Sequence, residues 1–301
     1  MPRFEWTLTP ATPAKIIVRT HSGPVFSRNA AAVTLPDEIE RGTPFTGEYV
    51  VPGKTPENEW LPHIERYRFA GNIAPGKVIL DVACGTGYGS DLLAGLAAKQ
   101  VIGGDASPEA LSFANHRFGR ENLAFVKLDG SRLPFRPSTF DAVVSFETVE
   151  HMKDPARFLR ECARVLRPNG ILLCSTPMRL AWRPPWMPKP QNPFHTREFT
   201  VNELRAALDE HFDRVEFFGQ ACIGTVEWVT RYIVSTSDFV LSRIPTGRTR
   251  SQHKLDWLLG YWPPASRRAQ ALDPRRFEVR PLSPSIPGFP GAIVAKAVRR
   301  A

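Results

Sequence analysis

From residue 77 onward the chain alternates short apolar runs with helix-forming stretches. The helix-start signals are clear: Ser107-Pro108-Glu109 offers an N-cap, a first-position proline and a first-turn acid, and Asp154-Pro155 begins a second helix in the same way. The apolar runs cover residues 77–82, 100–105, 123–128, 140–146 and 171–175. Short buried strands separated by helices are typical of a parallel sheet with crossover helices. The pattern therefore predicts an α/β fold.

The flanking segments predict how the rest of the chain is organised. Residues 57–70 have near-helical apolar spacing, Thr200 and Glu203 form a capping-box pattern before a helix to residue 208, and strands are predicted at 214–218 and 292–297. Residues 176–193 contain six prolines, which predicts an irregular loop over the site. We expect an N-terminal extension at 1–45, a core at 46–220, a lid or partner insertion at 221–290, and a final strand and tail at 291–301.

Composition narrows the class of protein. The 301 residues carry a formal charge of +9, with 39 Lys and Arg against 30 Asp and Glu, and 42% of them are hydrophobic. The four cysteines form no CxxC pair, and no apolar run approaches the ~20 residues that span a bilayer. These features predict a cytoplasmic globular protein without a transmembrane segment, a disulfide framework or a zinc knuckle.

A glycine-rich turn, residues 84–89, follows the first predicted strand. Such turns bring a helix N-terminus close to a ligand, either the pyrophosphate of a dinucleotide or the amino-acid part of S-adenosylmethionine. The glycines are Gly85, Gly87 and Gly89, whereas the dinucleotide pattern G-x-G-x-x-G would need a third glycine where Ser90 stands. The spacing therefore disfavours a nicotinamide oxidoreductase.

Acidic residues mark the ends of three successive predicted strands. Asp81 lies in the first, Asp105 ends the second and can accept both ribose hydroxyls, and Asp129 ends the third and can accept from an adenine amino group. Asp105 could alternatively cap the helix that follows it. Because open α/β sheets bind ligands beyond the carboxyl ends of their strands, we expect these acids to share one crevice.

Five motifs in order now make a resemblance plain. They read VILDVACGTGYGS, VIGGDASPEAL, VKLDGSRLPF, FDAVVSFETVEHM and RVLRPNGILLCSTP. The chain resembles the class I S-adenosylmethionine-dependent methyltransferases, in particular type 11-like enzymes with small-molecule or glycan acceptors. One departure is Ala83, where the family often has glycine.

The resemblance implies a fold, a cofactor and a set of site residues. The implied fold is a Rossmann-like seven-stranded sheet with helices on both faces and an antiparallel last strand, and the implied cofactor is S-adenosyl-L-methionine. The turn would hold the methionine part, the second strand end the ribose, the third the adenine, and the fourth would line the floor. In that order, the implied residues are Asp81, Ala83, Gly85 and Gly87; Asp105 and Ala106; Asp129 and Gly130; Phe146 and Glu147.

Two histidines are the candidate catalytic bases. His151 follows the fourth predicted strand and His195 follows the proline-rich segment, and histidine has a suitable unperturbed pKa near 6.5. His151 could instead be structural, because a Glu-His pair recurs here across methyltransferases of many substrates. The prediction is O-methylation of a small molecule or glycan, with no metal.

Two alternatives stay open. Glu147, Glu150, His151 and His195 are similar to the metal-binding set of small-RNA 2′-O-methyltransferases, although the surrounding sequence differs and ubiquinone-type O-methyltransferases carry the same Glu-x-x-Glu-His text. The second alternative is a catalytically silent S-adenosylmethionine-binding protein.

Lys and Arg residues are concentrated in one segment, and their charge indicates which acceptors the protein could bind. Residues 241–280 contain nine Lys or Arg and three acids around the apolar stretch 255–262. This composition is compatible with a phosphate-bearing or lipid-linked acceptor, with peripheral membrane contact, or with a solvated lid. The aromatic residues are clustered rather than interleaved with the basic ones, which disfavours nucleic acid. Residues 45–53, with His63 and residues 66–70, are similar to the leader of bacterial methyltransferases linked with glycan assembly.

Overall fold

The computed structural model describes residues 50–51, 55, 57–179, 194–220, 277–282 and 292–301. The predicted extension at 1–45 and most of the predicted 176–193 loop and 221–290 insertion lie outside these residues, and so does the apolar stretch 255–262.

Five helices and eight strands make up the described part of the chain. The helices are α1 (Glu57–Gly71), α2 (Tyr88–Gly95), α3 (Pro108–Arg117), α4 (Pro155–Val165) and α5 (Val201–Asp209). The strands are β1 (Val78–Val82), β2 (Gln100–Asp105), β3 (Leu123–Lys127), β4 (Phe140–Phe146), β5 (Leu166–Pro177), β6 (Phe212–Gln220), β7 (Arg280–Pro281) and β8 (Ala292–Arg299). Every predicted helix and strand within this part is present.

The strands form one sheet in the order β3-β2-β1-β4-β5-β8-β6-β7. β1 to β5 pair in parallel, and β8 runs antiparallel between β5 and β6. β2 and β3 follow β1 on one side of it, and after β3 the chain crosses back to the other side. β1 and β4 are therefore neighbours although β2 and β3 separate them in sequence. The predicted Rossmann-like α/β class with an antiparallel last strand is confirmed.

Alternation along the strands places a core on each face of the sheet. Leu80 and Val82 of β1 pack on one face with Phe158 of α4 and Leu204 of α5. Ile79, between Val78 and Leu80, packs on the opposite face with Tyr67 of α1. Because side chains of a strand point alternately to opposite faces, this pattern requires helices on both sides, as predicted.

Two features of the strands differ from the sequence prediction. β5 begins at Leu166, before the predicted strand at 171–175. Leu166 pairs with Phe140, and residues 167–170 lie in a register shift before Ile171 pairs with Ala142. Asn169 there has a φ of 61°, a left-handed conformation that asparagine tolerates better than most residues. β7 is an unpredicted eighth strand of two residues that pairs with β6, inside the segment assigned to the insertion.

Candidate functional site

The turn after β1 is built from three left-handed residues. Ala83, Gly85 and Gly87 have φ values of 60°, 55° and 81°. A Cβ on Gly87 would lie 2.7 Å from Ala114 and from the ring of Phe125, so the turn needs glycine here for space as well as for backbone conformation. The turn follows the carboxyl end of β1 and leads directly into α2, so the N-terminus of that helix lies at this edge of the sheet. A helix N-terminus favours a negatively charged ligand group.

The Asp81 side chain links the end of β1 to the two helices beside the turn. Its side chain is fully buried, and its carboxylate accepts hydrogen bonds from Ser90 Oγ at 2.6 Å and from Tyr67 Oη at 3.1 and 3.2 Å. Burial raises the pKa of Asp81 to about 7, although the two hydrogen bonds oppose the rise. Asp81 thus ties α1 and α2 to the end of β1, and sequence reasoning did not identify Tyr67 and Ser90 as its partners.

Asp105 connects the turn to the second strand end. One carboxylate oxygen accepts from the Gly85 amide at 2.8 Å and the other from the Ser107 amide at 2.9 Å. Each oxygen retains acceptor capacity for a ribose hydroxyl. The alternative role in helix capping belongs to Ser107, whose hydroxyl accepts from the Ala110 amide at 3.1 Å. The exposed Ala106 lies between them.

The third predicted acid lies on the same edge. Asp129 is exposed and accepts from the Ser131 amide at 2.8 Å, and this hydrogen bond lowers the pKa of its carboxyl group. Gly130 is buried, and a Cβ there would lie 3.2 Å from Phe158. Because β3, β2 and β1 are neighbours and parallel, the structure brings Asp129, Asp105 and the glycine turn to one edge.

The fourth strand ends at Phe146 and Glu147. Phe146 is buried, with its ring 5.1 Å from that of Tyr67 in an edge-to-face contact. Glu147 has a φ of 51°, an unusual conformation for glutamate, and one of its oxygens accepts from Arg66 Nη1 and Ser175 Oγ, each at 2.8 Å. Arg66 is buried. Sequence reasoning did not identify Arg66 or Ser175 as partners of Glu147, because both are distant from it in the chain.

The two candidate histidines meet beside this strand end. The rings of His151 and His195 are 4.9 Å apart at 85° to one another. His151 Nδ1 lies 3.0 Å from the carbonyl oxygen of Phe194. Since a carbonyl only accepts, Nδ1 carries the hydrogen in the neutral ring and Nε2 presents a lone pair. Burial, and next the charge of His151, lower the pKa of His195.

Glu150 completes this group. Its side chain has no exposed surface, and neither carboxylate oxygen has a hydrogen-bond partner among the described residues. The Thr176 hydroxyl, close enough to lower the pKa of Glu150, does not reach hydrogen-bonding geometry. Burial, and next the charge of Glu147, raise the pKa of Glu150 well above its usual range. Glu150 lies with His151 and His195 such that one ligand atom from each is within 4.8 Å of the others.

The central strands of this sheet match one known protein family. The family described as "Methyltransferase domain" matches residues 80–174, from β1 through β5. The matched residues are about a third of the chain. The glycine turn, the strand-end acids and the first of the two histidines all fall within the matched range.

Two curated relatives of this chain are named as methyltransferases. A protein of Mycolicibacterium smegmatis, named "Probable S-adenosylmethionine-dependent methyltransferase", is 39% identical over 167 residues, which are 55% of this chain and 63% of that protein. A Cereibacter sphaeroides protein named ubiquinone biosynthesis O-methyltransferase is 34% identical over 127 residues, 38% of this chain and 51% of that protein. The chain thus spans less than two thirds of these relatives. The family match and these relatives support the predicted S-adenosylmethionine-dependent methyltransferase domain.

Solved structures show the same fold at low sequence identity. A Thermotoga maritima protein, described as an S-adenosylmethionine-dependent methyltransferase, has a TM-score of 0.51 at 15% identity, covering 81% of this chain and 94% of its own. The [4+2]-cyclase SpnF has a TM-score of 0.50 at 18% identity, covering 84% of this chain and 86% of its own. A cyclase on this fold shows that the fold alone does not define the reaction. In the described part of the chain, no helix is long and apolar enough to cross a bilayer.

Proposed function

We propose that this protein transfers the methyl group of S-adenosylmethionine to a hydroxyl group of a small molecule or glycan. The observation that carries the proposal is the meeting of two sets of residues at one sheet edge. The cofactor set lies at the ends of β1, β2 and β3, and the two histidines lie beside the end of β4. A donor and an acceptor bound there would be held side by side, which is the main requirement for in-line transfer.

The cofactor set assigns a role to each strand end. The glycine turn from Gly85 to Gly87 would lie against the methionine part, Asp105 would accept from the ribose hydroxyls, and Asp129 would accept from the adenine amino group. Phe146 and Glu147 would form the floor. S-adenosylmethionine supplies a methyl group that is already activated as a sulfonium, so the chain's own residues need only align the acceptor and take up its proton.

His151 is the proposed general base. Its Nδ1 faces the Phe194 carbonyl, which leaves the Nε2 lone pair to accept the acceptor's proton as the oxygen–methyl bond forms. His195 lies against the His151 ring and orients it. A silent cofactor-binding protein would have no use for this fixed tautomer, which favours an enzyme.

The acceptor class is argued from relatives and from composition. Relatives named ubiquinone biosynthesis O-methyltransferase act, by that name, on oxygen, and they support an oxygen acceptor here. The basic residues at 241–280, most of which lie outside the described residues, support an acceptor bearing phosphate or linked to a lipid. We propose a cytoplasmic location, with peripheral membrane contact through that segment.

The test is transfer of labelled methyl into an extract of the host lacking this gene, separated into small-molecule, lipid, glycan, protein and RNA fractions. We expect label in the small-molecule or glycan fraction, and loss of most of it with His151→Gln. His211→Gln is the matched control, since His211 also lies next to a glutamate but precedes β6, at the edge of the sheet opposite the carboxyl ends of β1 to β5. Label in RNA would favour the 2′-O-methyltransferase alternative. No label anywhere, with S-adenosylhomocysteine binding intact, would favour a silent binding protein.

A further inference from the structure

We propose that Glu150, His151 and His195 bind one divalent transition-metal cation beside the methyl-transfer site. The three residues come from the end of β4 and from the segment before α5, and one ligand atom from each lies within 4.8 Å of the others. Metal bonds to carboxylate oxygen and imidazole nitrogen are about 2.0–2.2 Å long, so ligand pairs lie up to roughly 4 Å apart. Small side-chain rotations would bring all three onto one ion.

Glu150 is the strongest part of the argument. A carboxylate with no exposed surface is costly to bury unless hydrogen bonds or a cation compensate for the lost hydration. Neither oxygen has a hydrogen-bond partner within the described ranges, and His151 Nε2 lies 4.0 Å from Oε1. That separation is too long for a hydrogen bond and suits two ligands that share an ion.

His151 is already set in the form that a metal requires. A metal ligand must be a neutral imidazole nitrogen with a free lone pair, and its other nitrogen is usually fixed by an acceptor. The Phe194 carbonyl, 3.0 Å from Nδ1, is such an acceptor. Nε2 therefore points its lone pair toward the side of Glu150.

The backbone holds the two contributing segments together. The Glu150 carbonyl accepts from the Thr196 amide at 2.8 Å, from its hydroxyl at 2.9 Å and from the Arg197 amide at 3.2 Å. These bonds place His195 against His151 without an ion, so the three side chains form a preorganised group. Preorganisation lowers the cost of closing the site around a cation.

The ligand set indicates the class of cation. Among the described residues, the cluster does not include Glu147, one of whose oxygens accepts from Arg66 and Ser175. One carboxylate with two imidazoles suits Mn²⁺, Co²⁺ or Zn²⁺ better than Mg²⁺ or Ca²⁺, which prefer oxygen-only sites. This inference rests on the proposed function for its biological meaning, but the site itself is defined by the three side chains. With the cation bound, the His151 Nε2 lone pair would be a metal ligand and could not take up the acceptor's proton. The cation would then replace His151 in activating the acceptor hydroxyl, by lowering its pKa so that its proton passes to water.

The experiment measures metal binding directly in the full chain after treatment with a chelator. Mn²⁺ would be titrated and its free signal followed by electron paramagnetic resonance, with Zn²⁺ and Mg²⁺ as competitors. We expect one Mn²⁺ per chain, displaced by Zn²⁺ and not by equimolar Mg²⁺. Glu150→Gln and His195→Gln should each weaken binding at least tenfold. Glu150→Gln removes a buried charge, so the metal-free variant should remain folded.

The controls separate this site from adventitious binding and from the proposed function. Glu210 and His211 form another adjacent Glu-His pair, 3.9 Å apart, in which the glutamate is exposed, so Glu210→Gln with His211→Gln should bind Mn²⁺ like the unchanged protein. No binding, or binding that Glu150→Gln and His195→Gln leave unaltered, would overturn the metal site. S-adenosylhomocysteine binding measured in the same samples tests the cofactor site independently, and its failure would instead count against the proposed function.

Discussion

At the scale of single residues, Asp105 is the side chain whose loss should most directly weaken cofactor binding. Its two oxygens already accept from Gly85 and Ser107, so the carboxylate is oriented before any ligand arrives. Hydrogen bonds to a charged group contribute about 1.5–3 kcal/mol. Asp105→Asn should therefore raise the Kd for S-adenosylhomocysteine about tenfold or more, as measured by calorimetry.

The matched control is Asp213→Asn. Asp213 is an exposed aspartate paired with Arg300 at the start of β6, away from the glycine turn, so its variant should bind with unchanged affinity. Equal affinities of the two variants and the parent would show that Asp105 does not contact the ligand.

Asp81 makes a prediction about pH. Its pKa rises from 3.8 to about 7 on folding, so between these values the folded state holds a proton that the unfolded state has released. Stability contributed at this site is therefore present at low pH and is lost as the pH rises toward 7, by at most about 4 kcal/mol. In Asp81→Asn this loss should be absent.

Urea denaturation of both proteins without cofactor, at several pH values between 5 and 8, would measure the difference. As the pH rises, the unfolding free energy of the parent should fall relative to that of Asp81→Asn. A gap that stays constant would mean that Asp81 titrates near its ordinary pKa.

At the scale of elements, α1 and α2 are packed together through one close contact. Gly89 in the first turn of α2 faces the ring of Tyr67 in α1, and a Cβ at Gly89 would lie 2.0 Å from that ring. Glycine to alanine inside a helix normally stabilises by about 1 kcal/mol. Here overpacking should reverse the sign, so Gly89→Ala should destabilise by about 1–3 kcal/mol in chemical denaturation and weaken cofactor binding through the Tyr67–Asp81 contact.

Gly76→Ala provides the contrast. Gly76 has a φ of 71°, but a Cβ added there would have no atom within 4 Å, so only backbone strain of about 1 kcal/mol opposes the change. Cofactor affinity should stay unchanged in that variant. If Gly89→Ala were as mild as Gly76→Ala, α1 would be free to move away, and the helix contact would not position the turn.

The sequence predicted elements well where local signals and burial agree. The strand β1, the turn with Gly85 and Gly87, and the helix start at Ser107 each combine a hydrophobic run or a capping residue with a fixed spacing. Prediction was less accurate at the start of β5, which lies at Leu166 and not at Ile171. Leu166 pairs with Phe140, and residues 167–170 lie in a register shift before Ile171 pairs with Ala142. A single long-range pair of this kind has no local pattern in the sequence.

The site was predictable only in part, for a related reason. Asp105 and Asp129 follow from their positions at strand ends, since parallel strands bring their carboxyl ends to one edge. The partners of Asp81 and Glu147 come from α1 and β5, and no spacing rule connects Tyr67 or Arg66 to them. The Glu150 carboxylate is buried without a hydrogen-bond partner in the described part of the chain, and neither fact can be recognised from the sequence around it.

At the scale of the whole molecule, the strand order concentrates the chemistry in one place. β1 and β4 are neighbours at the point where the sheet changes direction, and ligands of open α/β sheets bind at that point. The glycine turn follows β1, and the cluster of Glu150, His151 and His195 lies beyond the end of β4. Under the proposed function, the cofactor and the acceptor would therefore bind between the two halves of the sheet.

This arrangement predicts which ligand should stabilise the molecule. Ser90 occupies the place of a dinucleotide pattern's third glycine, and its hydroxyl is committed to Asp81 at 2.6 Å. S-adenosylhomocysteine at 100 times its Kd should stabilise the folded state by about 2.7 kcal/mol and raise the Tm by several degrees. NAD at the same concentration should leave the Tm unchanged, because a pyrophosphate needs the close approach that a glycine at this position would allow. A rise with NAD and none with S-adenosylhomocysteine would reassign the crevice to a dinucleotide.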